Sequence, residues 1–344
     1  VTEPDDRTSA TVLNGTGARL SGTERAVLGD VPAAQVLALL SRYTHDRLGS
    51  AIASVRFRAG RIDAVWGVEL DDGRAVVVKA HRRPVDLEAV AAATRAQALL
   101  VAAGHPCPQP LSGPDEVAGH VLVLEVLLSG GSAPDGRDPS VRRLLAEGLA
   151  RHVDVLRQDE SLPARAGRGP SWCRYQQGPW PTPHDPIVDF TTTPEDGAWL
   201  DAYARRAVEQ IAGNRGDDVV VGHADWYAGN VAVADGRLVG TFDWELVADT
   251  EAVIAGFSAA AFAASSTSGA GLSTPEEARA FLQDYEHARG SSFDAAEQRA
   301  AAAAAAWILA FNARWESAMR PPGEDGVTTA LVRARGEEYL SLRW

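Results

Sequence analysis

Only two of the 344 residues are cysteine, Cys107 and Cys173, and they stand far apart without metal-ligand spacing. A disulfide framework and a zinc site are thereby excluded, and a reducing, cytoplasmic setting is the expectation. Long apolar runs are equally scarce. The longest, from Ala300 to Phe311, is about a dozen residues, well short of a bilayer span. The first twenty residues are polar and hold no apolar h-region, so neither a signal peptide nor a membrane segment is expected. Basic residues are in deficit, 33 Lys and Arg against 46 Asp and Glu, for a net charge of −13. That balance argues against nucleic acid or an anionic membrane as partner and favours a cationic small molecule. The acidic bias also matches the Ala-, Arg-, Asp- and Gly-rich composition of high-GC bacterial proteins, so it discriminates weakly.

What is present in quantity is core-forming sequence: 45% of the residues are hydrophobic, enough for a full core and better suited to two lobes than to one. The chain is organised around VVVGHADWYAGNVAV (219–233) and RLVGTFDWE (237–245). Apolar β-prone runs flank His223, Asp225 and Asn230, which places them on a tight loop between short strands, and Asp243 ends a second hairpin. Two carboxylates and an amide therefore converge. Phosphoryl transfer uses such a set, one carboxylate orienting the attacking hydroxyl while an amide oxygen and a second carboxylate hold Mg²⁺ against nucleotide phosphates. A structural β-turn would draw on the same residue types; the order and spacing favour the chemical reading.

The spacing His-x-Asp-x-x-x-x-Asn followed by Asp after a hairpin resembles the aminoglycoside phosphotransferase and choline kinase branch of the protein-kinase-like fold. Ala224 stands where that family usually has Gly, and Ala248, Asp249 and Thr250 stand where it has Gly-Asp-Pro. The resemblance implies an α+β, bilobal architecture: a small N-terminal lobe with an antiparallel sheet (23–128, after a flexible tail at 1–22) and a larger, mostly helical C-terminal lobe (129–344). It implies ATP and Mg²⁺ as cofactors, Asp225 and His223 as catalytic residues, and Asn230 and Asp243 as metal ligands.

Along the chain, Asp30 is expected to cap a helix carrying Val36, Leu40 and Tyr43. Three strands follow, Ile52–Arg58, Ile62–Leu70 and Arg74–Ala80, with a hairpin turn at Asp71, Asp72 and Gly73. The third ends in Lys79, which the resemblance assigns to the nucleotide phosphates. A helix from Pro84 to Ala103 offers Glu88 as the partner of Lys79, with Gln97 nearer the helix middle. The apolar strand Gly119–Leu128 leads to a Gly/Ser/Pro cluster; in the family that place is a hinge whose main chain binds adenine, which assigns Glu125, Val126 and Leu127 to the nucleotide. Helices are expected at Ser140–Arg157 and Trp199–Ala212, separated by a long Pro/Trp/Gly stretch (160–193) whose aromatics would pin it to the lobe or wall the substrate. After Asp243 the chain reads as helical to its end: Asp249–Ala264, Thr274–Arg289, Asp294–Met319 and Glu324–Leu342. Glu245, Glu251, Asn312 and Glu316 are the expected substrate contacts, with Asp249 among the carboxylates near the site.

The expected activity is phosphorylation of a hydroxyl on a small polar molecule, foremost an aminoglycoside or nucleoside-type antibiotic. A metabolic sugar or amino-sugar kinase and an inactive kinase-like binding module are the alternatives, and the protein is expected to be a monomer or homodimer.

Overall fold

The computed structural model describes residues 19–178, 180–183, 188–194, 196–264, 271–321 and 324–344. The chain divides into two compact units, Val1–Val101 with Cys107–Ser129, and Ala102–Pro106 with Gly130–Trp344. The architecture is α+β, as expected from the sequence. Among the described residues no helix is long and apolar enough to cross a membrane.

The first unit opens with helix α1 (Gly22–Leu28), where Ser21 and Glu24 form a reciprocal capping box. Leu20, Val27 and Leu28 are buried, so the end of the expected tail belongs to the fold; residues 1–18 of that tail lie outside the described residues. Helix α2 (Ala33–Leu48) starts after Pro32, whose fixed φ suits a helix entrance, and the expected cap Asp30 is not used. Gly49, left-handed at φ +73°, ends it.

Five antiparallel strands follow in the order β1-β2-β3-β5-β4: β1 (Ile52–Ala59), β2 (Ala64–Leu70), β3 (Ala75–His81), β4 (Pro110–Val117) and β5 (His120–Val126). The sequence reading missed β4, because Pro110, Gly113 and Pro114 are residues that sheets admit only at an edge, where this strand lies. Period-two alternation turns Val76, Val78 and Ala80 of β3 to the core with Trp66, Val68, Leu122 and Leu124, beneath Leu40 and Tyr43 of α2. Val77, Lys79 and His81 therefore share the opposite face. Helix α3 (Leu87–Ala102) lies between β3 and β4 in the chain.

In the second unit α4 (Pro139–Leu156) and the one-turn α5 (Leu162–Ala166) precede α6 (Ala198–Ala212). Four short strands make two hairpin-sized sheets: β6 (Val219–His223) pairs with β9 (Leu246–Thr250), and β7 (Val231–Ala234) with β8 (Arg237–Thr241). Strand β9 corrects the expectation of helix from Asp249; its pairing with β6 is a long-range contact that local propensity does not encode. Helices α7 (Glu251–Ala261), α8 (Pro275–Arg289), α9 (Ala295–Met319) and α10 (Val327–Leu340) complete the chain. The core is built on α9, where Ala300–Ala306 and Trp307 are fully buried.

Candidate active site

Strand β6 delivers His223, and a 3-10 turn over Ala228–Asn230 carries the loop into β7. His223 is 2% exposed, and both ring nitrogens serve the backbone: Nδ1 accepts from Asp225 N at 3.1 Å, which leaves Nε2 to donate to Phe242 O at 3.0 Å. These two bonds tie the backbone of the loop together and give His223 a positioning part. One imidazole holds the residue before Asp243 and the amide of Asp225 in fixed relation.

Asn230 completes the loop. Its Nδ2 donates to Asp225 O at 3.0 Å and to Asp225 Oδ2 at 2.8 Å, while Asn230 O accepts from Phe242 N at 2.8 Å. Committing the amide nitrogen to Asp225 leaves the amide oxygen as the atom for a cation. Asp243 holds φ +56°, a left-handed conformation that a non-glycine residue rarely adopts and that clusters at functional sites. Asp225 is pushed up to about 7 by burial, then by the charge of Asp243, against the lowering hydrogen bond of Asn230. A carboxylate raised by burial and by a second carboxylate stands in a field that a hard cation relieves, and the oxygen donors suit Mg²⁺. Among the described residues no group of three or more His, Cys, Asp and Glu side chains is placed to hold a metal, so a cation at Asn230 and Asp243 would need oxygens from a ligand to complete its shell.

Three indoles fix the loop from below: Trp226 Nε1 donates to Leu145 O (2.9 Å), Trp244 Nε1 to Thr241 O (3.1 Å) and Trp172 Nε1 to Ala224 O (3.1 Å). Trp172 comes from the 160–193 stretch, and its carbonyl accepts from Trp307 Nε1 at 2.8 Å, so this part of the stretch pins itself to the unit. Pro179 and residues 184–187 of the stretch lie outside the described residues. His105 and His152 pack on Trp226 and Trp244, and among the described residues none of their four ring nitrogens has a hydrogen-bond partner.

Several expected substrate contacts are spoken for elsewhere. Glu251, at the first position of α7, is ion-paired with Arg157 (2.6 Å) and Arg289 (3.0 Å) and accepts from Tyr285 OH (3.0 Å). Asp249 is 2% exposed and accepts from Tyr175 OH (2.9 Å), Gln176 Nε2 (3.2 Å) and Thr250 N (2.8 Å). Glu316 accepts from the Thr328 and Thr329 amides, and Asn312 bonds back to Ile308 O within its own helix. Each carboxylate met a local donor that spacing in the sequence did not reveal. Glu245, part-buried, follows Asp243 by two residues, and its carbonyl accepts from Ala224 N at 2.7 Å.

In the first unit the structure separates Glu88 from Lys79. Glu88 is exposed in the opening turn of α3, whereas Lys79 Nζ lies 3.4 Å from Asp63 Oδ2. Gln97, the helix-middle candidate, donates to Glu125 Oε2 at 2.9 Å. Main-chain recognition by Val126 and Leu127 meets an obstacle too: their N–H groups donate to Gln109 O (2.9 Å) and Ala75 O (3.1 Å). The first acceptor directly precedes β4, the strand not foreseen, and the second opens β3.

This arrangement defines a class, the small-molecule kinases. The chain belongs to the phosphotransferase enzyme family (APH), whose sequence model matches residues 54–251. No protein of curated description matched the sequence. Solved structures with the same fold include amicoumacin kinase hAmiN in complex with AMP-PNP, Ca²⁺ and Ami (13% identity, TM-score 0.58, covering 83% of this chain and 88% of that one). A thermostable mutant of aminoglycoside phosphotransferase APH(4)-Ia with ADP and hygromycin B aligns over 88% of this chain and 98% of its own (13%, TM-score 0.53). Macrolide 2'-phosphotransferase MphH from Brachybacterium faecium aligns over 90% and 99% (17%, TM-score 0.53).

Proposed function

We propose that the protein is an ATP- and Mg²⁺-dependent O-phosphotransferase that phosphorylates a hydroxyl of a small polar antibiotic in the cytoplasm. The observation that carries this reading is the Asp225–Asn230 pair beside left-handed Asp243. Asp225 would accept the proton of the attacking hydroxyl, its Oδ2 held by Asn230 and its backbone by His223, which fixes the carboxylate before substrate arrives. Its raised affinity for a proton suits a base working near neutral pH. Asn230 Oδ1 and the Asp243 carboxylate would hold Mg²⁺, which when bound neutralises charge on the nucleotide phosphates. Lys79 would meet those phosphates from the segment 23–128, the proposed nucleotide lobe. The antibiotic acceptor is supported by the fold relatives, which include kinases of amicoumacin, aminoglycosides and macrolides. Cys107 and Cys173, both free and buried, suit a reducing compartment.

The test is an ADP-release screen over aminoglycosides, macrolides, nucleoside antibiotics and amino sugars. With the best acceptor, Asp225→Asn should lower kcat by about 10²–10⁴-fold, the range for losing a positioned base. A near-normal kcat would remove Asp225 from the mechanism, and full turnover in excess EDTA would remove the metal.

A further inference from the structure

The first unit holds a carboxylate that the resemblance did not anticipate. Asp63 ends the β1–β2 turn, directly before β2. The register places Val65 opposite Lys79 and Ala64 opposite Ala80, so Asp63 stands across from His81 and diagonal to Lys79 on the same sheet face. His81 Nδ1 lies 2.8 Å from Asp63 Oδ2, and Arg82 N donates to Asp63 Oδ1 at 2.8 Å. Lys79 Nζ approaches the same Oδ2 at 3.4 Å, with the two side chains 16% and 20% exposed.

The donors fix the carboxylate from the sheet itself. Burial pushes the Asp63 pKa up, yet the His81 hydrogen bond, the charges of Lys79 and His81 and the Arg82 N–H together hold it below the usual carboxylate range, so it stays ionised. Lys79, on a flexible stem with three donors, is the adjustable member of the pair. Gly60 makes the turn possible. It sits at φ +112°, and a Cβ there would overlap the Asp63 carbonyl. Gly60 thus folds the turn back and presents Asp63.

We propose that Asp63 is the positioning residue of Lys79, so that the ammonium meeting the nucleotide phosphates is set by the β1–β2 turn and not by an acid of helix α3. This rests on the phosphotransferase reading. Removing the charge takes away one of the groups that set the Lys79 ammonium, which weakens contacts to phosphate while leaving those to the nucleoside alone.

Calorimetry on the full chain tests it, with Mg²⁺-AMP-PNP and adenosine as probes. Asp63→Asn should weaken AMP-PNP roughly tenfold, the loss of about one charge-assisted contact, with adenosine unchanged. In a Lys79→Ala background the same substitution should add nothing, because the effect runs through Lys79. Asp63→Glu, which keeps the charge, should recover part of the loss and serves if the Asn variant does not fold. Tighter AMP-PNP binding by Asp63→Asn would overturn the proposal, showing that Asp63 competes with phosphate for Lys79. Equal losses for both probes, additive losses in the double variant, or no change would overturn it as well. Failure of the unaltered protein to bind AMP-PNP would instead strike the phosphotransferase reading beneath it.

Discussion

At the last turn of α9 the Glu316 carboxylate accepts from Thr328 N (3.0 Å), Thr329 N (2.9 Å) and Thr329 Oγ1 (3.2 Å), so it caps a helix to which it does not belong. The N-cap residue of α10 is Gly326, which has no side chain to offer those amides. A Cβ at Gly326 would overlap Glu316 Oε2, so the missing side chain is what lets the carboxylate in. Glu316→Ala should cost about 1–2 kcal/mol, the usual value of a lost cap, and leave the acceptor KM where it was. Urea unfolding and steady-state kinetics on one preparation check both halves. A raised KM with unchanged stability would return Glu316 to the substrate site.

Among the elements, α7 and α9 owe their approach to small residues. Gly256 of α7 faces Ala301 and Ala304 of α9, and a Cβ on Gly256 would overlap the Ala301 carbonyl. Gly256→Ala therefore sets two effects against each other. Alanine gains about 1 kcal/mol of helix propensity over glycine, and forcing atoms into a packed backbone contact costs about 1–3 kcal/mol. Because the obstacle is main chain, which cannot rotate away, the cost should win and the thermal midpoint should fall; a midpoint that rises would mean the helices can part cheaply. The same contact gives the buried alanine run its purpose. In the sequence Ala300–Ala306 reads only as a strong helix former, whereas in the fold it is the flat side against which α7 is laid.

For the molecule as a whole, the net charge of −13 says little about the site. Asp249, Glu251 and Glu316, three of the carboxylates expected near the substrate, are bound to arginines, hydroxyls and amides of the second unit. The pH response of stability is better defined. His105 is lowered to about 4 by burial first and then by the charges of Arg151 and His223; His152, fully buried, is lowered as well by burial, His105 and His223. A histidine depressed in the fold stays neutral while the unfolded chain takes up a proton, so stability is full above the ordinary value of 6.5 and declines as the pH falls toward about 4. For His105 alone the linked loss is about 3 kcal/mol at the bottom of that window. Thermal midpoints between pH 7 and pH 4.5 should fall more steeply for the unaltered protein than for a His105→Phe, His152→Phe variant. Equal slopes would shift the acid response onto carboxylates.

Local pattern was enough for much of this protein. Apolar runs of strand length around 219–245 predicted β6, β7 and β8, and residue spacing put Asp225 and Asn230 on one loop with Asp243 at the end of the next hairpin, because period, turn chemistry and short separation are carried by neighbours in the chain. Helices α8 and α9 begin at good capping residues, Thr274 and Asp294, that the sequence itself displays. Tertiary structure alone decided who partners whom. Lys79 meets Asp63 across a strand register, Glu251 meets Arg157 and Arg289 from two other helices, Glu316 reaches α10, and β9 finds β6. A charge or a strand edge is satisfied by whichever group the packed chain brings within about 3 Å, and that distance is set by the whole fold's burial of apolar surface, not by residues adjacent in the sequence.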